Sequence, residues 1–544
     1  SPEEFVDILT QNEIQYSGIN AKILGTFYQE DGELTFGSDI DTFYSSARYA
    51  VYKPEGEALS RIASFPVDPA DEGGVPIGEV QYSSTQRYER EEARVEVDVE
   101  DFVGNKTAVF GMTRTGKSNT MKIIATAIYE HAVKEGMDIG QLLFDPQGEY
   151  ANPNQQDEMA LAELGAEAVT IYRLGADGSE EGVEPLQINF FEEGNIGPVW
   201  DRINGHLADR RGSNYIENFL SAEITVPSSA GYGREERANR RQLALYATLA
   251  RANFQLPDDF SRYLAVNQDV YDIIEPAMEG DLPRYDRGRS MLHGDNLIEF
   301  WQTVIQEREQ VNDADEDWVD ADLEYILGMF DPAANESGYT LLSGLRDYHN
   351  PTAEGDYAEK IYEELCDGKI AIVDMSIGTE DIVADVSERL VRHINAESVR
   401  RFSEGEDLPY IQIFLEEAHR LFDSDSFDDN DDPYVRLAKE GAKFYLGLIY
   451  ATQEVTGVDR RVLANTANWV VTHLNNKNET NRLGDYYNFE DFKRPIREIE
   501  DTGFARIKMQ SGKYIIPTQI DLFDSARLEE AKVTAQEYRD SEED

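Results

Sequence analysis

The sequence predicts an α/β fold in which a parallel sheet is covered by helices on both faces. Short apolar runs alternate with segments of helical periodicity before residue 198 and again after residue 346. One apolar run leads into a glycine-rich loop and a helix, and another ends in two adjacent acids. Because ligands of open α/β sheets bind at the carboxyl ends of the strands, both features predict one site at one sheet edge.

The glycine-rich loop, 111–118, has the pattern G-x-x-x-x-G-K-S. Residues 106–110 predict a buried strand before it, and 119–135 lack glycine and proline and predict a helix after it. This order directs backbone N–H groups and a helix N-terminus at phosphate oxygens. We therefore predict a nucleotide site in which Lys117 contacts the β- and γ-phosphates and the Ser118 hydroxyl binds Mg²⁺. The predicted nucleotide contacts here are Gly111, Thr113, Arg114, Thr115, Gly116, Lys117, Ser118 and Asn119.

Two glutamates follow the strand predicted over 410–415. We assign Glu416 to the metal and Glu417 to the general base that deprotonates the attacking water. Mg²⁺ prefers carboxylate and phosphate oxygens and keeps several waters, so a glutamate can serve as its ligand. A neighbouring strand predicted over 445–451 is followed by Thr452 and Gln453, and the Gln453 amide is predicted to sense the γ-phosphate.

A further pair of acids follows the strand predicted over 141–144. Asp145 and Glu149 would lie at the same sheet edge, and Asp145 is included among the predicted nucleotide contacts. The sequence leaves two roles open for these carboxylates: they tune the metal or its water, or they cap the segment that follows.

The chain divides into four predicted parts. Residues 1–100 hold short apolar runs separated by turns, including 23–28, 47–52 and 62–65, and predict a small β-barrel. The other parts are a nucleotide-binding domain (101–197 and 347–525), a charged helical insertion (198–346), and a C-terminal helix with an acidic tail (526–544).

Charge and composition limit the possible functions less narrowly than the motifs do. The chain has 107 acidic and 50 basic residues, a net charge of −57, and the acids are spread along its whole length. This spread favours a surface adapted to a salt-rich, halophilic cytoplasm over an acidic surface whose function is to repel nucleic acid and bind cations. A single cysteine, Cys366, excludes an intrachain disulfide, and no apolar run approaches the ~18 residues of a membrane span. We therefore expect a cytoplasmic protein without a membrane partner.

Four arginines of the insertion recur at helical spacing: Arg234, Arg237, Arg240 and Arg241. They could face DNA as a basic stripe. Because Glu235 and Glu236 stand between them, a salt-bridged solvent face is the favoured interpretation.

Taken together, these motifs resemble the HerA branch of the FtsK–HerA ring ATPases. The segments that carry the resemblance are 107–118, 144–150, 416–419, 447–453 and 462–465. The similarity covers about 20–195 and 365–520. It implies a HAS-type β-barrel before a RecA-like P-loop ATPase domain, with ATP and Mg²⁺ as cofactors. It also implies a hexameric ring that moves double-stranded DNA, commonly with a nuclease such as NurA in DNA end resection, whereas some bacterial relatives serve anti-phage defence with other effectors.

The chain departs from the family pattern at three places. Glu416 stands where the family usually has aspartate, 441–443 read Gly-Ala-Lys instead of Gly-Arg-Lys, and 453–455 read Gln-Glu-Val instead of Gln-Arg-Pro. The last two departures remove arginines, so the residue that would complete a neighbouring subunit's site stays open. Candidates are Arg436, Arg460, Arg461 and Arg482.

The sequence supports two functions from different classes. The first is a ring-forming, ATP-driven double-stranded DNA translocase or helicase that works with a nuclease in DNA end processing. The alternative is a nucleotide-dependent ring scaffold of an anti-phage defence complex that gates an effector enzyme. The missing arginines favour the second, because a poor arginine finger slows hydrolysis. A small-molecule phosphotransferase is disfavoured by the predicted barrel and the lack of an obvious substrate lid.

Overall fold

The computed structural model describes residues 22–38, 52–67, 74–82, 92–153, 159–176, 179–226, 231–285, 288–333, 336–422, 427 and 431–543. The strands are β1 (Thr26–Glu30), β2 (Glu33–Gly37), β3 (Val75–Val80), β4 (Arg94–Val97), β5 (Lys106–Phe110), β6 (Ile139–Asp145), β7 (Val169–Arg173), β8 (Val183–Pro185), β9 (Ser261–Ala265), β10 (Arg284–Tyr285), β11 (Arg289–His293), β12 (Ile370–Asp374), β13 (Tyr410–Leu415), β14 (Leu446–Thr452), β15 (Asn468–Val471), β16 (Phe504–Lys508) and β17 (Ile516–Ile520).

The helices flank these strands along the chain. They are α1 (Gly56–Ser64), α2 (Lys117–Glu135), α3 (Ile196–His206), α4 (Asn214–Ser221), α5 (Tyr232–Arg251), α6 (Gln268–Ile274), α7 (Leu297–Gln306), α8 (Arg308–Ala314), α9 (Ala321–Phe330), α10 (Tyr357–Cys366), α11 (Glu380–Glu404), α12 (Pro433–Glu440), α13 (Arg460–Ala464), α14 (Lys477–Leu483), α15 (Lys493–Glu498) and α16 (Ser525–Glu543). Among the described residues, no helix is both long and apolar enough to cross a membrane.

A twelve-stranded sheet forms the centre of the described structure, in the order β4-β3-β17-β16-β15-β5-β14-β13-β6-β12-β7-β8. The strands from β15 to β8 run parallel, and those from β16 to β4 are antiparallel. The predicted α/β fold with a large parallel sheet is therefore confirmed, and it is consistent with a RecA-like P-loop domain. One strand, β14, lies between β5 and β13, which carry the two main motifs.

Alternate residues of the parallel strands point to two separate cores, as strands buried on both faces require. On β5, Ala108 and Phe110 belong to a core that extends through the insertion, whereas Val109 belongs to the core formed with α2 and α16. Near-continuous apolar sequence in these strands is thus explained by burial on both sides.

The small β-barrel predicted over 1–100 is not confirmed. β1 and β2 form a two-stranded antiparallel hairpin, and β3 pairs with β17 as an extension of the central sheet. The strand predicted over 62–65 is instead the end of α1, whose buried residues recur every three to four positions as a helix requires. Most of the strand predicted over 47–52 lies outside the described residues.

The insertion, where described, is mainly helical but contains strands that the sequence pattern did not indicate. β9, β10 and β11 form a separate three-stranded antiparallel sheet in the order β10-β11-β9. Just after the insertion, the buried His349 ring accepts a hydrogen bond from the Phe190 N–H at 3.1 Å and donates to the Gln255 carbonyl at 2.7 Å. These contacts require a neutral imidazole, and burial lowers the pKa of His349.

Candidate functional site

The glycine loop is anchored by the strands on both sides of β5. The Gly111 N–H donates to the Thr452 carbonyl at the end of β14, and the Met112 N–H donates to the His473 carbonyl just beyond β15. A side chain on Gly111 would not fit, because its Cβ would lie 1.9 Å from the Thr472 hydroxyl oxygen. Gly116 has φ 95°, a conformation open to glycine but strained for other residues. The sequence thus folds here into a tight loop on a rigid sheet edge.

Two side chains predicted to contact nucleotide are engaged inside the protein. The Thr115 hydroxyl donates to the Met112 carbonyl at 2.7 Å and lies 2.8 Å from the Thr472 hydroxyl. The Asn119 amide donates to the Asp521 carbonyl and accepts from the Phe523 N–H, both at 2.8 Å. These contacts fix the loop against the end of β15 and fix α2 against the segment that follows β17. Thr113 and Arg114 are exposed.

The lysine of the loop and the two glutamates meet where the sequence analysis expects them. Ser118 Oγ lies 3.5 Å from Glu416 Oε1. Burial lowers the pKa of Lys117, against the opposing attraction of Glu417, Glu416 and Glu149. The predicted cation–acid arrangement at the carboxyl edge of β5 and β13 is therefore present. The adjacent Ser118 and Glu416 oxygens fit a Mg²⁺ ion that takes its remaining ligands from phosphate and water.

Tyr150 holds the metal-assigned glutamate, a contact that sequence reasoning missed. Its hydroxyl donates to Glu416 Oε1 at 2.6 Å from a buried position. Burial raises the pKa of Glu416 to about 7, and the neighbouring Glu149 and Asp145 act in the same direction. The tyrosine hydrogen bond and Lys117 oppose this shift by favouring the charged carboxylate. The available sequence signal was the position of Tyr150 at the end of the segment 144–150.

Asp145 binds its own loop. Its carboxylate accepts hydrogen bonds of 2.9 Å from the backbone N–H groups of Glu149, Tyr150 and Ala151. Burial raises the pKa of Asp145 to about 6 despite these bonds. The capping role left open by the sequence is thus observed, and it places Tyr150 beside Glu416. A direct role of Asp145 toward nucleotide stays a prediction.

The proposed base and the proposed sensor are linked through a histidine. Glu417 has a left-handed backbone conformation, with φ 50°. His419 Nδ1 lies 3.4 Å from Glu417 Oε2 and 3.0 Å from the Thr452 hydroxyl. Thr452 ends β14, and Gln453 follows directly in a half-buried position. The ends of β13 and β14 are therefore in contact through side chains.

The four candidate finger arginines differ in their surroundings. Arg436 lies 3.6 Å from Glu440, and Arg461 pairs with Asp459 at 2.9 Å. Arg460 is exposed at the first turn of α13. Arg482 is half-buried, and its Nη1 has no hydrogen-bond partner among the described residues.

The arginine stripe of the insertion is built into its packing. Arg241 pairs with Asp320 at 2.8 Å, and Arg234 pairs with Glu223 at 3.1 Å. The Arg240 guanidinium lies over the Trp318 ring at 4.5 Å. Because Arg240 and Arg241 are buried, the stripe is neither a continuous DNA-facing surface nor a simple solvent face.

Comparison with known proteins bears on the part of the chain that contains the loop. Residues 75–193 match the family model described as the central domain of helicase HerA. The "DNA double-strand break repair helicase HerA" of Sulfurisphaera tokodaii is 28% identical over 123 residues, covering 22% of this chain and 24% of that protein. The protein of the same name from Sulfolobus acidocaldarius is 29% identical over 133 residues, covering 22% and 27%. The matched region thus spans about a quarter of these relatives.

Two solved structures show a more distant likeness over longer stretches. VirB4 of Thermoanaerobacter pseudethanolicus is 13% identical with a TM-score of 0.35, covering 83% of this chain and 97% of that one. The bacterial conjugative coupling protein TrwB is 12% identical with a TM-score of 0.37, covering 86% and 92%. TM-scores this low add nothing to the family match. Over residues 75–193, the resemblance to HerA-type ATPases that the motifs predicted is therefore confirmed.

Proposed function

We propose that the chain is an ATP hydrolase that moves double-stranded DNA as part of a ring, in the manner of a helicase or translocase. One observation carries the proposal: Lys117, Ser118 and the glutamates 416 and 417 converge at the carboxyl ends of β5 and β13. This is the set of groups that phosphoryl transfer to water needs. The names of the two HerA relatives supply the DNA substrate.

The residues divide the chemistry among them. The loop N–H groups and Lys117 hold the phosphate chain, and Ser118 and Glu416 would hold Mg²⁺. The bound metal supplies positive charge to the β- and γ-phosphates. The Glu417 carboxylate accepts the proton of the attacking water, and Gln453 orients that water or the γ-phosphate. His419 contacts Glu417 and Thr452, the residue before Gln453, and so would help to position the base relative to the strand that carries the sensor.

Ring formation and a partner nuclease belong to the same proposal. An arginine from a neighbouring subunit would stabilise the charge that develops on the γ-phosphate. Arg460 is the candidate we favour, because it is exposed while Arg436 and Arg461 contact acids of their own segment. The partner would be a NurA-like nuclease.

The test is ATP turnover in molar salt, with and without duplex DNA, for the wild type, Lys117→Ala and Glu417→Gln. Glu498→Gln serves as the control, because this glutamate is exposed on α15 and pairs with Arg494 one turn earlier in the same helix. We expect DNA to stimulate the wild type and the control, and both site variants to lose turnover by at least about a hundredfold. Light scattering with nucleotide present measures the molar mass of the protein and so shows whether it assembles into an oligomer. A wild type that DNA never stimulates and that stays monomeric would contradict the proposal.

A second candidate function is a nucleotide-dependent scaffold that gates an effector enzyme in a defence complex. The intramolecular pairs of Arg436 and Arg461 favour it, because arginines held in this way are less available to a neighbouring site. Glu417→Gln separates the two functions. A scaffold that needs only bound nucleotide keeps its effector activity in this variant, whereas a motor stalls.

A further inference from the structure

The three-stranded sheet of the insertion has one packed face and one open face. Leu264, Ser290 and Leu292 point inward and are buried. Tyr263 and Tyr285 lie on the opposite face and are 44% and 46% exposed. Alternation along paired strands explains this division, because successive side chains point to opposite sides of a sheet.

The open face combines two aromatic rings with an arginine. The rings of Tyr263 and Tyr285 meet edge to face, with centroids 5.5 Å apart and an angle of 87°. Arg289 is paired opposite Tyr285, and its guanidinium carbon lies 4.8 Å from the centre of the Tyr263 ring. No carboxylate among the described residues lies within ion-pair distance of Arg289.

The residues of these three strands carry a charge opposite in sign to that of the whole chain. About one residue in five of the whole sequence is acidic, 107 of 544. The three strands, SRYLA, RY and RSMLH, contain three arginines and no aspartate or glutamate. Arg262 and Arg284 pack against Phe260 and Tyr271, so Arg289 carries the charge of the open face. The positive charge of the strand residues favours an anionic partner.

We propose that this open face binds a nucleic-acid strand with unpaired bases, which stack on Tyr263 and Tyr285 while Arg289 contacts a phosphate. Every base has a π-face, and stacking on exposed aromatics with an adjacent arginine is how single strands are bound without sequence preference. Tyrosines hold their rings at little entropic cost because few torsions must be fixed. The inference rests on the proposed function for the presence of DNA, but it places a contact outside the ATP site.

The test measures the fluorescence anisotropy of a labelled single-stranded DNA of about 16 nucleotides, with the 544-residue chain and no ATP. Tyr263→Ala/Tyr285→Ala should weaken binding about tenfold or more, and Tyr263→Leu/Tyr285→Leu, which keeps apolar side chains in the sheet, should weaken it similarly. Arg289→Ala should reduce the slope of log K against log salt by about 0.7. Tyr28→Ala, an exposed tyrosine of the β1–β2 hairpin, should bind as the wild type does. ATP turnover without DNA should stay unchanged in all of them.

The outcomes separate this inference from the proposed function. Wild-type turnover that duplex DNA stimulates, together with equal single-strand binding by the leucine double variant, overturns the inference alone. Single-strand binding that depends on both tyrosines supports the inference even if duplex DNA never stimulates turnover. A double variant that binds normally but changes oligomer size shows that the face meets a second copy of the chain, which also overturns the inference.

Discussion

Replacing Tyr150 by phenylalanine removes one hydroxyl and tests how the metal-assigned carboxylate is held. That hydroxyl donates to Glu416 Oε1 at 2.6 Å; Glu416 directly follows β13, and Tyr150 lies in the loop after β6 that Asp145 caps. A glutamate has one more rotatable bond than aspartate, so the hydrogen bond restricts a longer side chain to one orientation. Because phenylalanine fills nearly the same volume as tyrosine, we expect the fold to be retained.

The expected magnitude follows from the charge of the acceptor. A hydrogen bond to an ionised group contributes about 1.5–3 kcal/mol, which corresponds to about tenfold to a hundredfold in an equilibrium constant. We expect Tyr150→Phe to raise the Mg²⁺ concentration for half-maximal ATP turnover by that factor. At saturating Mg²⁺, turnover should recover to within a few-fold of the wild type, since the base and Lys117 are unchanged.

The assay is ATP turnover against free Mg²⁺ at fixed, saturating ATP. Tyr450→Phe is the matched control: Tyr450 is fully buried in β14, and its hydroxyl bonds to the Thr466 hydroxyl. An equal Mg²⁺ shift in both variants would show a general loss of packing. An unchanged Mg²⁺ dependence in Tyr150→Phe would refute the positioning of Glu416 by Tyr150.

Three further predictions concern stability and the loop. Arg527 of α16 makes a buried, bidentate contact with Glu130 of α2, so Arg527→Met should cost about 3–5 kcal/mol by urea unfolding, whereas Arg494→Met at an exposed pair should leave the free energy of unfolding nearly unchanged. Since burial lowers the pKa of His349, the unfolded chain binds its proton first as pH falls below about 6.5, so this residue's contribution to stability decreases between pH 7 and 5.5. The raised pKa values of Glu416 and Asp145 act in the opposite direction in this range. The difference in thermal melting between the wild type and His349→Gln should therefore change as pH falls from 7 to 5.5 in favour of the variant, and a difference that does not change with pH would count against this contribution. Gly111→Ala should abolish nucleotide binding by calorimetry, because the added methyl collides with the hydroxyl of the neighbouring strand, and normal binding would show that the loop can shift.

Local patterns were sufficient for the parts of the site that lie within one strand and its following loop. The loop 111–118 was identified because its glycines, lysine and serine must be consecutive to wrap a phosphate. Glu416 and Glu417 were identified because an apolar strand ends in them. Tyr150 was missed because its partner lies 266 residues away in sequence, and no spacing rule connects the two.

The N-terminal region and the insertion show where patterns failed. Short apolar runs over 1–100 predicted a small β-barrel, but β3 pairs with β17, which is far away in the sequence. Strand pairing depends on which edges are available in three dimensions, and that information is absent from a local window. The strands β9 to β11 are short and lie among helices, so their periodicity was too brief to recognise.

The sequence by itself determined that this chain has a phosphate-binding loop, an acid pair on another strand, and an α/β sheet that brings them to one edge. Local sequence patterns are enough to predict these features, because strand, loop and helix propensities act over a few residues. Only the tertiary structure decided that Asp145 caps its own loop, that Tyr150 holds Glu416, and that Arg240 and Arg241 are buried. Those outcomes depend on packing between distant segments, where burial and competing hydrogen-bond partners determine what each side chain contacts.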